Sequence, residues 1–232
     1  MKLLCLPYAG GTAQVFINLL KPWISSSVEI VPVELPGRGT RFAETMKTNF
    51  SELLDDVVES VLDIVCDGTE YALLGYSMGS RLIYEIYYRL LNINTNMPQI
   101  MFFCAALPPE ISCTPKKLDR ASIIQEIRLL GGTSEEVLEN EQLMDIFVPI
   151  MKADLQVLFS YKYVPKNIKM NVPVVVLYGT KDNGATETNM FKWEKYTDKN
   201  CEFVKYDDGH FFINKYYKEI AYEIDLCIKK YI

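Results

Sequence analysis

The chain has 232 residues, a net charge of -6 and roughly half its residues apolar. That length fills a hydrophobic core without staples, and one compact domain over residues 1–232 is expected. The acidic balance argues against general binding to nucleic acid. The six cysteines (Cys5, Cys66, Cys104, Cys113, Cys201, Cys227) form no CxxC pair; they read as thiols of a reducing compartment, not a disulfide frame or metal cluster. A single histidine argues against a zinc site. No run reaches the ~18 apolar residues of a membrane span. The apolar part of MKLLCL is too short for a signal-peptide core, so the expected location is the cytoplasm.

In chain order, KLLCL (2–6) reads as a strand, PYAGG as a loop and 12–24 as a helix. VEIVPV (28–33) reads as a strand whose proline marks it as irregular or near an edge. Residues 50–65 place Phe50, Leu53, Leu54, Val57, Val58, Val61, Leu62 and Val65 on one stripe, an amphipathic helix with Ser51 as its candidate cap. YALLG (71–75) is a strand, 77–91 a helix and IMFFCA (100–105) another strand. The segment 106–168 then breaks the rhythm as a helical insertion. Residues 119–130 look helical, Thr133 and Glu136 match a capping box, and 141–161 carry a wide apolar face interrupted by Pro149. Asp154, in this insertion, reads as a surface residue. VPVVVLYG (172–179) and CEFVKY (201–206) are strands, and 213–231 form an amphipathic helix. Nearly all-apolar strands alternating with helices predict an α/β fold, a mostly parallel sheet covered on both faces.

The chemistry centres on Gly75-Tyr76-Ser77-Met78-Gly79, a GxSxG that follows a strand and opens a helix. This is the pattern of a nucleophile elbow, whose tight turn lifts the serine oxygen above the sheet. The plainer alternative is a strand-to-helix turn with Ser77 as N-cap. A serine hydroxyl needs a base and the base an orienting acid. The base can only be His210, the sole histidine, in the turn after 201–206. The acid should lie between serine and histidine in chain order. Asp182 in YGTKDNG is the best candidate; Asp207, Asp208 and Asp198 are rivals. The oxyanion hole needs backbone N–H groups: one from Met78, the other from PYAGG, with Ala9 and Gly10 as candidates. No cofactor or metal is called for.

These motifs, with LPYAGGTAQVF (6–16), ELPGRGTRF (34–42), ALPP (106–109), LLGGTSEEVLEN (129–140), VPIMKADLQVLFSY (148–161) and GHFF (209–212) in order along the chain, resemble the stand-alone type II thioesterases of non-ribosomal peptide and polyketide synthesis. The resemblance implies an α/β-hydrolase fold with a helical lid over 106–168, a triad of Ser77, Asp182 and His210, and oxyanion donors at Ala9 and Met78. It departs at Asn183-Gly184, where relatives tend to place a proline. It implies hydrolysis of acyl, aminoacyl or peptidyl thioesters from the 4'-phosphopantetheine arm of carrier domains, in editing or release. The carrier domain is the implied partner of a monomer, and no nucleic acid or membrane is involved. Carrier domains are commonly acidic, so docking on this acidic chain would use a local patch. Lys162, Lys166 and Lys169, or Arg38 and Arg41, are the candidates, with Arg38 alternatively bracing loops near the site. The alternatives are a small-molecule carboxylesterase with the same triad and a non-catalytic carrier-binding module.

Overall fold

The computed structural model describes residues 1–232. Six strands, β1 (Lys2–Leu6), β2 (Glu29–Pro32), β3 (Tyr71–Tyr76), β4 (Met101–Cys104), β5 (Val174–Gly179) and β6 (Cys201–Tyr206), form one sheet in the order β2-β1-β3-β4-β5-β6. Every neighbouring pair is parallel. The interior strands β3, β4 and β5 are buried at every position, which is why they read as unbroken apolar runs. β2, with Pro32, lies at an edge, where a missing N–H is tolerated.

Strand alternation splits the core in two. Leu4, Leu6, Leu73, Phe103 and Val176 face α2 (Phe50–Val65) and α3 (Met78–Asn92). Leu3, Cys5, Leu74, Phe102 and Val175 face α1 (Gln14–Leu19) and α8 (Ile213–Tyr231). Each fully buried Leu or Val side chain contributes roughly 1.5–3 kcal/mol, so the stripe of α2 commits that helix to its face. Between β4 and β5 run α4 (Arg120–Leu130), α5 (Glu135–Leu138) and α6 (Glu141–Ser160). They enclose a small core of their own: Ile123, Ile127, Leu138, Met144, Val148, Met151 and Leu155. No helix is long and apolar enough to cross a membrane.

Several local expectations are corrected. The first helix covers only Gln14–Leu19. The cap of α2 is Asn49, whose side chain accepts from Ser51 N–H, so Ser51 is capped and not the cap. The cap of α5 is Ser134, one residue past Thr133; its hydroxyl accepts from Val137 N–H. Pro149 does not interrupt α6, which runs through it. Pro149 and Asp145 are both exposed, so the helix carbonyl that loses its donor faces the water side of the helix. Asp154 is not a surface residue: it is 1% exposed and pairs with Arg38, which is 3% exposed. Burial takes Arg38 out of the candidate docking patches. Lys166 is committed to Glu85 at 2.7 Å and lies over the ring of Tyr88. Two short elements with no counterpart in the sequence pattern, α7 (Glu187–Met190) and the 3-10 segment Phe191–Tyr196, seat the fully buried Trp193 against Phe103.

Candidate active site

The turn from β3 into α3 is built by exclusion of side chains. A Cβ on Gly75 would lie 2.4 Å from the backbone carbonyl carbon of Gly79, and one on Gly79 would lie 2.2 Å from Leu6 O. With both absent, the chain turns within one residue. Ser77 takes up the turn at φ 52°, ψ -107°, a conformation that costs a non-glycine residue ~1–3 kcal/mol. Its N–H donates to Cys104 O at 2.8 Å, and Ser80, one turn on, donates to Gly75 O at 2.7 Å. The strain is thus held by bonds to β3 itself and to its neighbour β4. Ser77 makes no side-chain cap bond, so the plain N-cap alternative fails.

Its hydroxyl meets histidine instead. Ser77 Oγ lies 3.0 Å from His210 Nε2, and His210 Nδ1 lies 2.7 Å from Asp182 Oδ2. The side chains of His210 and Asp182 are each 13% exposed. Asp182 sits in the turn after β5, where its N–H donates to Gly179 O at 3.2 Å. His210 sits in the turn after β6. The two turns touch because position 179 carries no side chain: a Cβ there would lie 2.3 Å from Gly209 O. Lys181 N–H donates across to Asp208 O at 2.9 Å. Tyr76, beside the serine, donates its hydroxyl to His210 O at 2.6 Å. The rival acids are occupied elsewhere. Asp207 pairs with Lys181 at 3.0 Å, Asp208 Oδ1 accepts from Gly209 N–H, and Asp198 faces Lys169.

The loop Pro7–Gly11 lies beside this relay. Ala9 and Met78 border the same cavity as Ser77, Asp182 and His210. Ala9 N–H donates to no group of the chain, and Met78 N–H is a first-turn amide of α3, with no acceptor inside its helix. Gly10 differs: its N–H donates to Asp154 Oδ2 at 2.6 Å, which removes it as a candidate oxyanion donor. Asp154 is held in turn by Arg38, through Nη2 to Oδ1 at 2.7 Å and through Nη1 to Oδ2. Sequence reasoning offered Arg38 as a brace for loops near the site but missed its partner Asp154 and the Tyr76 bond. The only signals were one acid in an apolar helix and an arginine in a glycine-rich loop.

The cavity is about 370 Å³ and mostly apolar, walled by Leu107, Met151, Leu155, Leu158 and Phe159. Arg81 lines it too, donating to the carbonyls of Pro109 and Ile111. Burial raises the Tyr76 hydroxyl pKa well above its usual value, so that group stays a proton donor to His210 O.

Residues 1–226 match the family described as thioesterase domain. The chain belongs to the thioesterase domain family. This thioesterase is 31% identical over 217 residues to gramicidin S biosynthesis protein GrsT of Aneurinibacillus migulanus, covering 92% of this chain and 83% of that protein. It is 28% identical over 226 residues to thioesterase PikA5 of Streptomyces venezuelae, covering 97% and 79%. Among solved structures it resembles ClbQ from the colibactin non-ribosomal peptide/polyketide pathway, with a TM-score of 0.92, 28% identity and coverage of 99% and 97%. The thioesterase therefore has the α/β-hydrolase fold that the family resemblance implied, and it is a thioester hydrolase.

Proposed function

We propose that this thioesterase clears or releases acyl, aminoacyl or peptidyl groups from the phosphopantetheine arms of carrier domains, with Ser77, His210 and Asp182 as its catalytic residues. The observation that carries the reading is the continuous contact Asp182–His210–Ser77 at the mouth of an apolar cavity. The similarity to GrsT, PikA5 and ClbQ supplies the class of pathway.

With its proton on Nδ1 facing Asp182, His210 offers the Nε2 lone pair to the serine hydroxyl. Nε2 takes that proton as Ser77 Oγ adds to the thioester carbonyl. The oxyanion is held by the N–H groups of Ala9 and Met78. Collapse breaks the C–S bond, and the departing thiolate receives the proton from Nε2. Water then adds to the acyl-serine by the same proton route, giving the free acid and restoring Ser77. The apolar wall excludes bulk water, which strengthens the two N–H contacts to the developing charge. The arm belongs to the substrate and the protein needs no cofactor of its own. The helices of 106–168 act as the lid over the cavity, and the chain works as a cytoplasmic monomer.

The test is hydrolysis of a panel of loaded carrier domains with short acyl, long acyl and aminoacyl groups, read by intact mass. Release of the acid with return of the free thiol is expected. A strong preference for simple oxygen esters of the same acyl groups would mark a carboxylesterase. Carrier binding without turnover, and no phosphonate adduct on Ser77, would mark a non-catalytic module.

A further inference from the structure

Arg38 and Asp154 form an ion pair across 116 residues of chain, almost wholly out of water. Desolvating both charges is expensive, and an apolar pair of similar size is often as stable or more so. Arg38 Nε has no partner, so the pair is not even fully satisfied. Packing alone gives little reason for it. What an apolar pair could not do is accept the Gly10 N–H, which Asp154 Oδ2 does at 2.6 Å.

That bond has leverage on the oxyanion loop. The Gly10 N–H and the Ala9 carbonyl belong to one planar peptide unit. Anchoring the N–H fixes ψ of Ala9, and with it the turn that presents the Ala9 N–H. Gly10 itself has φ +78°, and a Cβ there would lie 2.8 Å from the Phe147 ring and 3.2 Å from Met151 Sδ, both on α6. The other side of the loop rests on α3, where Gly79 closes on Leu6 and Pro7. The loop is therefore clamped between the nucleophile helix and the insertion helix, and Asp154 is the polar contact of the second jaw.

We infer that Asp154, oriented by Arg38, is a positioning residue for the oxyanion loop, so that the catalytic site is complete only while α6 lies against Pro7–Gly11. This rests on the assignment of Ala9 N–H as an oxyanion donor made above.

The experiment compares two double variants in the full-length protein. Arg38→Met with Asp154→Asn removes both charges and keeps an oxygen acceptor facing Gly10. Arg38→Met with Asp154→Leu removes the acceptor as well. The Leu form should lose about 30–100-fold in kcat with KM little changed, somewhat less than deletion of an oxyanion donor. The Asn form should stay within about fivefold of wild type. A trifluoromethyl ketone analogue of the acyl group, which forms a tetrahedral adduct on Ser77, should weaken in parallel with kcat in the Leu form only. Equal losses in both forms, or wild-type kcat in a folded Leu form, would overturn the inference. Should the Leu form not fold, an ester in place of the Ala9–Gly10 amide deletes the donor with both side chains intact. The same 30–100-fold loss is then expected, and undiminished kcat overturns the inference. If wild type hydrolyses no carrier thioester, the carrier reading fails, and a p-nitrophenyl ester substrate still reads the positioning.

Discussion

The hydroxyl of Tyr76 donates to the backbone carbonyl of His210 at 2.6 Å, across 134 residues of sequence. The residue before Ser77 thus ties down the loop that carries His210. Its ring meets Tyr8 and His210 edge-on and stacks on Phe211. One side chain touches the turn of Ser77, the turn of His210 and the loop Pro7–Gly11 together.

Replacing Tyr76 by Phe keeps the ring and deletes the bond. The carbonyl left without its donor is only partly buried, so the cost is at the low end, about 1 kcal/mol. Thermal melting should register that loss, and kcat should drop several-fold as the imidazole gains freedom while KM holds. A variant with wild-type melting and turnover would show that the bond does not hold the loop.

Asp182→Asn should lower kcat by about 10⁴ with the fold intact, because an amide facing Nδ1 favours the wrong tautomer and cannot balance an imidazolium. Circular dichroism checks the fold and steady-state hydrolysis the rate. Asp207→Asn and Asp208→Asn should stay near wild type, since neither carboxylate reaches the ring. Inactivity of either with Asp182→Asn still active would move the acid.

Gly79→Ala tests the elbow by stability. The new methyl would meet the backbone of Leu6 and Pro7, which cannot swing aside. A loss of about 3 kcal/mol or more is expected. Gly68→Ala is the control: nothing lies within 4 Å of its added carbon, so only its positive φ resists, at ~1 kcal/mol. Similar melting temperatures for the two variants would contradict the packing argument.

The thiols should divide by burial. Cys66 and Cys113 are exposed. Burial holds the Cys5 and Cys104 thiols well above their usual pKa and pushes Cys201 and Cys227 up to about 12. At pH 8 a thiol with a pKa of about 12 is thiolate in only about one molecule in 10⁴. Iodoacetamide should therefore modify Cys66 and Cys113 first. Cys113 borders the cavity, so an acyl phosphonate on Ser77 should slow its labelling and leave Cys66 unchanged. Peptide mapping that found Cys5 or Cys104 labelled first would refute this.

Much of this was legible because the signals were local. Strand β1 matched its apolar run to the residue, and β6 did likewise. The elbow announced itself through two glycines whose absent side chains the turn requires. His210 had no rival imidazole, whereas chain order left Asp182, Asp198, Asp207 and Asp208 in play and only the fold sets Asp182 against the ring. What the sequence hid depends on partners far along the chain. Asp154 resembles any helix acid until Arg38, 116 residues upstream, is folded against it. The caps slipped by one or two residues because Asn49 and Ser51, or Thr133 and Ser134, are all able to cap, and backbone geometry chooses between them. The segment 187–196 shows no period in the sequence because its two short helical pieces carry too few turns.

The insertion keeps seven residues in a core separate from the two larger ones of 33 and 23. A unit that small should open at lower urea than the sheet. Trp193, sealed against Phe103, reports by fluorescence on the larger core. Because α6 supplies the acceptor for Gly10, hydrolysis should fade during a urea titration while Trp193 emission still reads as native, so that the enzyme falls silent before it unravels.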